Sequence, residues 1–439
     1  DRLLKPTRPP HHNTNWHLKP NTTAMAGQEN EDVSTILATL RIEASEELIP
    51  FFYTFEDCYE RKLWHQLTKS LDDFFHNQLS RPLRARLFHQ FITKFYQNIN
   101  QLRFVQFALI ASSEIDSNED KLFFLQEIKA KLEKDLPEDY HNYTKTQKLS
   151  FNLNDCFNKI DDKIDAFIFL QIEIARIQLF LNNLEESRET LDKMAVEIDL
   201  LSSVNNVINA SFYSTNAQYY KLKNDYNEFY KCSLLYLACL DNELLNNLTE
   251  TDKQLIAYDL SIAALLGDKI YNFGELLLHD ILNFLDNEQY SWLRDFLFIL
   301  NSGDLAKFES VLSLTFEKSP LLLEHELFLK QKICLMALID LVFRKPTGKR
   351  ILTFEEVSTT TRLPIKDVEH LVMRALSLNL LRGSIDQVNN KISVTWVQPR
   401  VMDIKQVEVM KYKLESWSKD VKSISDFMYD YGEEIWTFV

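Results

Sequence analysis

The stretch Thr353-Phe354-Glu355-Glu356 opens the part of the chain that decides its fold. A threonine followed three residues later by a glutamate is a capping box, which marks a helix N-terminus and predicts a short helix through Thr359. A polar turn follows, and Pro364 then suits the start of a second helix, where the missing N–H costs nothing. Apolar residues at spacings of three and four predict that second helix: Ile365, Val368, Leu371, Val372, Ala375 and Leu378.

After Asn379 the apolar period changes from that of a helix to that of a strand. Residues 381–387 and 391–397 read as two strands, and Asn389-Asn390 is typical of the turn between them. Along the second strand, three apolar residues alternate with Ser393 and Thr395. These three are Ile392, Val394 and Trp396. Helix, turn, helix and hairpin together predict a winged-helix module over residues 346–400, whose wing edge, carrying those three residues, we expect to bind a partner.

A winged helix serves either nucleic-acid binding or protein interaction. The predicted second helix carries Lys366 and Arg374 against Asp367 and Glu369, so it is neutral. The segment 350–400 holds seven basic and five acidic residues, a net charge of +2. Because duplex binding relies on neutralising phosphates, this weak charge favours the protein-interaction reading.

Composition points the same way. The chain has 49 basic and 64 acidic residues, a formal net charge of −15, which disfavours DNA and anionic membranes as partners. The sequence has no run of about 18 apolar residues, so no membrane span is predicted. Five scattered cysteines without a C-x-x-C spacing predict reduced thiols in the cytoplasm or nucleus.

The central chain repeats a helix, a tight polar turn and a second helix. The turns at Leu184, Tyr226, Ile270 and Leu305 are spaced by roughly 35 to 44 residues, and Glu60 to Trp64 shows the same outline earlier. A period near 40 predicts stacked helical hairpins of the TPR-like solenoid type. We expect N-terminal hairpins over 30–133 and the main array over 164–345. Between them, the polar segment 134–163 is predicted to be a loop, and the proline-rich segment 1–24 to be a disordered extension.

The last segment, 404–436, has a strict 3.5-residue apolar period, which predicts a long helix with a coiled-coil or bundle seam. Such a helix either folds back on its own domain or docks into a bundle that other chains supply, and its unbroken seam favours docking. The residues predicted to bind partners are Met410, Leu414, Trp417, Val421, Ile424, Met428 and Tyr431.

A helical array that leads into a winged helix, with residues 380–387 (LLRGSIDQ) starting the wing, resembles the PCI domain. That domain is shared by the proteasome lid, the signalosome and translation initiation factor three. Longer stretches are similar to the fungal subunit-nine family of the 26S proteasome lid, over about residues 30 to 436. These stretches are 211–219 (SFYSTNAQY), 257–277 (AYDLSIAALLGDKIYNFGELL), 331–338 (QKICLMAL), 368–375 (VEHLVMRA) and 396–400 (WVQPR).

The resemblance implies a mainly α protein: the solenoid, the winged-helix PCI module with a small β-hairpin wing, and the long C-terminal helix. It implies a non-catalytic scaffold of the lid, paired through its winged helix with a neighbouring PCI subunit and through its last helix with the lid's helical bundle. The N-terminal hairpins are expected to reach towards the ubiquitin-receptor region. Subunits of the signalosome or of initiation factor three, and a nucleic-acid-binding winged-helix protein, are the alternatives.

An enzyme is disfavoured by the motifs. The paired histidines of the lid's zinc-dependent deubiquitinases do not occur, His325-Glu326 lacks the second histidine of a zincin helix, and Gly348-Lys349 lacks the first glycine of a phosphate loop. No G-x-S-x-G motif is found. The sequence therefore predicts no catalytic, metal or cofactor-binding residues.

Overall fold

The structure is a computed structural model that describes residues 33–136, 154–201, 204–240, 249–287, 289–345, 350–399 and 404–431. The chain divides into two compact units at Phe167 and Ile168. The predicted disordered extension, 1–24, lies outside the described residues.

The first unit is built from helical hairpins around a core of phenylalanines. Its helices are α1 Val33–Glu43, α2 Ile49–Glu60, α3 Trp64–His76, α4 Arg81–Gln90, α5 Gln101–Ser113 and α6 Asn118–Asp135. Phe55 and Phe74 are fully buried, with ring centroids 5.7 Å apart in an edge-to-face arrangement. Arg84 is also buried; it donates to Glu114 at 3.0 Å and to the carbonyl of Asn77 at 2.7 Å, so the charge is both paired and hydrogen-bonded.

The prediction of a polar loop over residues 134–163 is wrong at the C-terminal end of that segment. Helix α7 begins at Asn154 and continues to Phe180. Asn154 and Asp155 open it, and both residue types favour a helix N-terminus even where no apolar stripe is visible. Residues 137–153 lie outside the described residues.

The second unit continues the hairpins. Its helices are α8 Leu184–Leu200, α9 Asn206–Lys223, α10 Tyr226–Cys239, α11 Glu250–Leu266, α12 Gly274–Leu278, α13 Ser291–Ser302, α14 Leu305–Lys318, α15 Pro320–Glu324 and α16 Glu326–Arg344. Single left-handed residues make the tight turns, with Asn182 between α7 and α8 and Asn224 between α9 and α10. Gly303 does the same between α13 and α14, and a Cβ there would lie 2.8 Å from the Cα of Ala337. The turn therefore needs glycine both for its backbone angle and for its close approach to α16.

The turn predicted at Ile270 differs from the others. Gly267, which begins it, has φ −67°, and an irregular segment separates α11 from α12. The ammonium of Lys332, on α16, satisfies the end of α11. Its Nζ donates to the carbonyls of Ala264, Leu265 and Gly267 at 2.8, 3.0 and 2.8 Å. Burial lowers the pKa of Lys332 to about 7, against the opposing charge of Asp268.

The winged helix forms as predicted, with one addition. The capping box of Thr353 and Glu356 starts α17, Phe354–Thr361, and α18 spans Ile365–Ser377. Strands β2, Leu381–Asp386, and β3, Lys391–Val397, form the predicted hairpin. A short strand that the sequence analysis missed, β1 at Ile351–Thr353, pairs antiparallel with β3, so the sheet order is β1-β3-β2.

The winged helix shares one continuous core with the helices before it. Buried residues from Ala217 to Val397 form this single cluster, and α16 packs against α11, α13, α17, α18 and β3. The last described helix, α19, spans Ile404–Tyr431 and contributes nothing to that core. The mainly α fold with a small winged-helix sheet and a long C-terminal helix is confirmed.

Candidate interaction surfaces

Helix α19 exposes the whole of its predicted seam. All seven predicted partner-binding residues of this helix are at least 46% exposed: Met410, Leu414, Trp417, Val421, Ile424, Met428 and Tyr431. Every side chain described on α19, from residue 407 to 431, is exposed. The alternative in which this helix folds back on its own domain does not occur in the described structure. A continuous apolar seam with no covering element is the signature of an interaction surface.

The seam has two shallow hollows between its side chains. One shallow hollow beside Ser418 is lined by Val407, Met410 and Leu414, and a second beside Ser425 is lined by Val421, Ile424 and Met428. In packed helices, a side chain of the neighbour inserts into such a hole between four residues. The small serines at a spacing of seven keep these holes open.

Helix α19 also exposes apolar side chains away from the seam, which the 3.5-residue pattern did not single out. Val409 and Tyr412 are each more than half exposed. At 100° per residue, Val409 and Tyr412 lie on the side opposite Leu414. These residues are therefore exposed apolar side chains that lie outside the predicted seam.

The wing edge predicted at Ile392, Val394 and Trp396 needs a correction. These residues lie on β3, which pairs on both sides and is the central strand, so it presents no edge. Ile392 and Val394 are buried in the core, and the N–H of Val394 donates to the carbonyl of Arg350 at 2.9 Å. Trp396 is partly exposed, with the guanidinium of Arg382 over its ring at 4.9 Å. The error came from missing β1, because a three-residue strand shows no alternation to detect. Whether the sheet binds a partner stays a prediction.

The real edges of the sheet are the outer sides of β1 and β2. Strand β2 is the longer of the two, and Arg382, Gly383, Ser384 and Asp386 on it are exposed. Two hydrogen bonds from Asn389 lower the pKa of Asp386, which keeps this carboxylate ionised at the end of the strand. The sheet thus offers exposed main chain to a partner at β2.

The outer face of α18, which would read a duplex in a DNA-binding winged helix, carries mixed charge. Lys366, Asp367, His370 and Arg374 are all exposed on it, together with Met373. Basic and acidic groups at the same surface cancel the field that would attract phosphates. This arrangement matches protein contact better than nucleic-acid contact.

Groups that could carry chemistry are few. Among the described residues, no three His, Cys, Asp or Glu side chains cluster to hold a metal ion. Burial raises the pKa of the Cys334 thiol, and it raises that of Cys232 to about 11, so neither forms a thiolate readily at neutral pH. No helix in the described part of the chain is long and apolar enough to cross a bilayer.

Comparison with known families defines the class of protein. Residues 305–396 match the PCI domain, and residues 51–297 match the PSD13 N-terminal repeats. This is a helical-repeat protein with a PCI domain after the repeats, as the resemblance in the sequence implied.

Three relatives are similar over nearly the whole chain. The 26S proteasome regulatory subunit RPN9 of Saccharomyces cerevisiae is 44% identical over 409 residues, which cover 93% of this chain and 99% of that protein. The probable 26S proteasome regulatory subunit rpn9 of Schizosaccharomyces pombe is 39% identical, covering 90% and 95%. The 26S proteasome non-ATPase regulatory subunit 13 homolog A of Arabidopsis thaliana is 34% identical, covering 84% and 91%. The chain belongs to this family of 26S proteasome regulatory subunits.

Proposed function

We propose that this protein is a non-catalytic scaffold subunit of the 26S proteasome lid. In this role it supports assembly of the regulatory particle and ubiquitin-dependent protein degradation in the cytoplasm and nucleus. Its relatives are named as regulatory subunits of the 26S proteasome. The observation that carries the proposal is the solvent-exposed apolar seam of α19 in a chain of this family.

The exposed seam explains why this chain would need other subunits. Burying an apolar side chain contributes roughly 1.5–3 kcal/mol, and seven seam side chains are left uncovered. A helical bundle supplied by other lid subunits would cover them. The large solvent-exposed Trp417 and Tyr431 are the kinds of residue that dominate binding energy in protein interfaces.

The experiment compares two double substitutions on the same helix. Leu414→Asp with Val421→Asp places two carboxylates in the seam, and we expect it to abolish stable incorporation when the chain is co-expressed with the other lid subunits. Val409→Asp with Tyr412→Asp is the matched control, because these two residues are also exposed apolar side chains and lie on the opposite side of α19. Incorporation is read by native mass spectrometry of the purified assembly.

The isolated proteins should melt at the same temperature in all three cases, since none of these side chains contributes to the core. Normal assembly of the seam variant would contradict the proposal. Equal loss in both variants would show that the helix acts through its charge and not through its seam.

The two ends of the chain have separate roles in this proposal. The winged-helix sheet pairs with the PCI domain of a neighbouring lid subunit, as the resemblance implies. The first unit extends towards the ubiquitin-receptor region, and its strongly exposed Ile42 and Phe123 are suited to apolar contact. Ile42→Asp with Phe123→Asp should then weaken retention of ubiquitin receptors on assembled particles and leave lid assembly intact. Unchanged receptor content would remove this part of the proposal.

A further inference from the structure

Helix α19 carries two opposite charges beside its apolar seam. Lys413 and Asp420 are seven residues apart, so both lie on the same flank of the 3.5-residue seam, and both are exposed. Among the described residues, the one ion pair on α19 joins Lys411 to Glu415 at 4.0 Å, and Lys411 lies on the other flank. Within the described chain, Lys413 and Asp420 therefore have no oppositely charged partner.

The positions of these two charges suit a second copy of the same helix. When two identical helices pair antiparallel about a twofold axis, the same flank of each helix meets, and every contact forms twice. In one register, Lys413 of each copy faces Asp420 of the other. Sliding the helices by one heptad brings Asp420 against Asp420 or Lys413 against Lys413, and a parallel pair places like charges at the same level. Charge therefore selects one orientation and one register.

The same register packs the apolar seam against itself. Six seam residues of each copy then form three kinds of contact, each made twice: Val407 with Ile424, Met410 with Val421, and Leu414 with Trp417. Val407 and Met410 line one hollow of the seam, and Val421 and Ile424 line the other, so the two hollows face each other across the pair. The seam residues beyond Ile424 lie outside this overlap.

We propose that two free copies of this chain pair antiparallel through α19, in the register that joins Lys413 to Asp420. This inference goes beyond the proposed function and does not depend on it, because it concerns the chain before other subunits cover the seam. Since both kinds of partner use the same seam residues, the two copies must separate before α19 enters a bundle of other subunits.

The area available to this pairing is small. The six seam residues are 46–66% exposed in the single chain. Fully burying an aliphatic side chain removes roughly 60–120 Å² from water, so the side chains of two copies fall short of the ~1,200 Å² of a stable interface. We therefore expect a weak, reversible dimer, with the dilute protein almost entirely monomeric and its seam bare.

The test is sedimentation equilibrium of the full-length chain alone, over a wide range of concentration. We expect the wild type to pass from monomer to dimer as the concentration rises. Lys413→Glu and Asp420→Lys should each raise the dissociation constant about tenfold, because each turns both attractive contacts of the dimer into repulsions. Combining the two substitutions in one chain should restore the wild-type value. An equimolar mixture of the two single variants should form a heterodimer that is tighter than either homodimer.

A matched control lies on the other side of the same helix. Lys419 and Asp426 are also exposed and seven residues apart, and at 100° per residue they lie opposite the seam. Lys419→Glu and Asp426→Lys make the same changes of charge there, and they should leave the dissociation constant unchanged.

Carbodiimide cross-linking reads the register directly. In a mixture of isotope-labelled and unlabelled wild-type chain, the dimer should yield a cross-link between Lys413 of one copy and Asp420 of the other. A purified dimer without this cross-link would show that the register is wrong.

Other outcomes also overturn the inference. A wild-type chain that stays monomeric at every concentration, or that forms trimers or tetramers, does so. Equal effects of the flank and control substitutions, or a double variant as weak as the single ones, would show that Lys413 does not face Asp420. All of these measurements use the chain alone, so their failure leaves the proposed function to its own test of incorporation.

Discussion

Helices α16 and α19 are both long, both carry many apolar residues and are only about sixty residues apart, yet α16 is buried on all sides from residue 332 to residue 339 and α19 is exposed. In α16, Leu329, Ile333 and Val342 are completely buried by the rest of the second unit. In α19, every described side chain is exposed. The difference shows that apolar residues on a helix predict that the helix will be buried. They do not predict whether the same chain or another chain will cover it. For α16 the chain itself supplies the cover, and for α19 we propose that other subunits do.

The largest expected contrast between the two helices is in hydrogen exchange of the free protein. Amides in the middle of α16 should exchange only through global unfolding, which requires about 5–15 kcal/mol in typical domains. Amides of α19 have no tertiary packing to protect them and should exchange many orders of magnitude faster. Mass spectrometry of peptides covering 329–342 and 410–428 measures both at once. Similar protection in the two helices would mean that α19 is covered in the free protein.

Truncating one side chain in each helix should separate them next. Ile333→Ala should lower the free energy of unfolding by about 2–5 kcal/mol, because it leaves a cavity in the core. Leu414→Ala should change it by less than about 0.5 kcal/mol, because the side chain touches solvent. Urea denaturation of the isolated variants tests this pair. A large loss for Leu414→Ala would contradict the exposure of α19.

The buried Lys332 gives α16 a pH dependence that α19 lacks. The pKa of Lys332 is about 7 in the folded protein, against 10.5 for an ordinary lysine. The unfolded chain therefore binds more protons than the folded one between these values, and this group's contribution to stability rises with pH across that window. Relative to Lys332→Met, the wild type should gain up to about 1.4 kcal/mol per pH unit between pH 7 and 9.

Denaturation curves at several pH values measure this difference. Lys330→Met is the control, because Lys330 lies on the same helix, is half-exposed and pairs with Glu326. Its difference from the wild type should stay constant over the same range. A flat difference for Lys332→Met as well would show that the three carbonyls hold the ammonium charged.

The smallest expected effect on stability is at the tight turns that connect packed helices. Among the described residues, no such turn connects α19 to another helix. Asn224 has φ 60° between α9 and α10. Asn224→Ala should cost about 1 kcal/mol, because a Cβ without a local polar partner disfavours the left-handed region. Asn224→Gly should cost nothing or stabilise slightly. Thermal melting resolves the pair, and equal melting of both variants would argue against strain at this turn.

The winged helix was predicted most accurately, because its sequence signals are local. The Thr353 and Glu356 capping box, the apolar spacing of α18 and the alternation of β3 each act over a few neighbouring residues, so the structure reproduces them within a residue or two. Strand β1 escaped because three residues hold no period. The start of α7 at Asn154 was not predicted because the first turns of this helix are polar. They are helical because they continue the apolar, buried part of the same helix.

The sequence by itself determined the helical hairpins, the capping box and the seam of α19, because periodicity and caps are written in residues close together along the chain. Only the tertiary structure decided that β3 is central, that Lys345 and Glu356 hydrogen-bond to the main chain of β1, and that Lys332 binds the carbonyl of Gly267 from sixty-five residues away. Each of these depends on groups brought together across long separations. A single sequence gives the identity of each of these residues, but it does not give the distances between them.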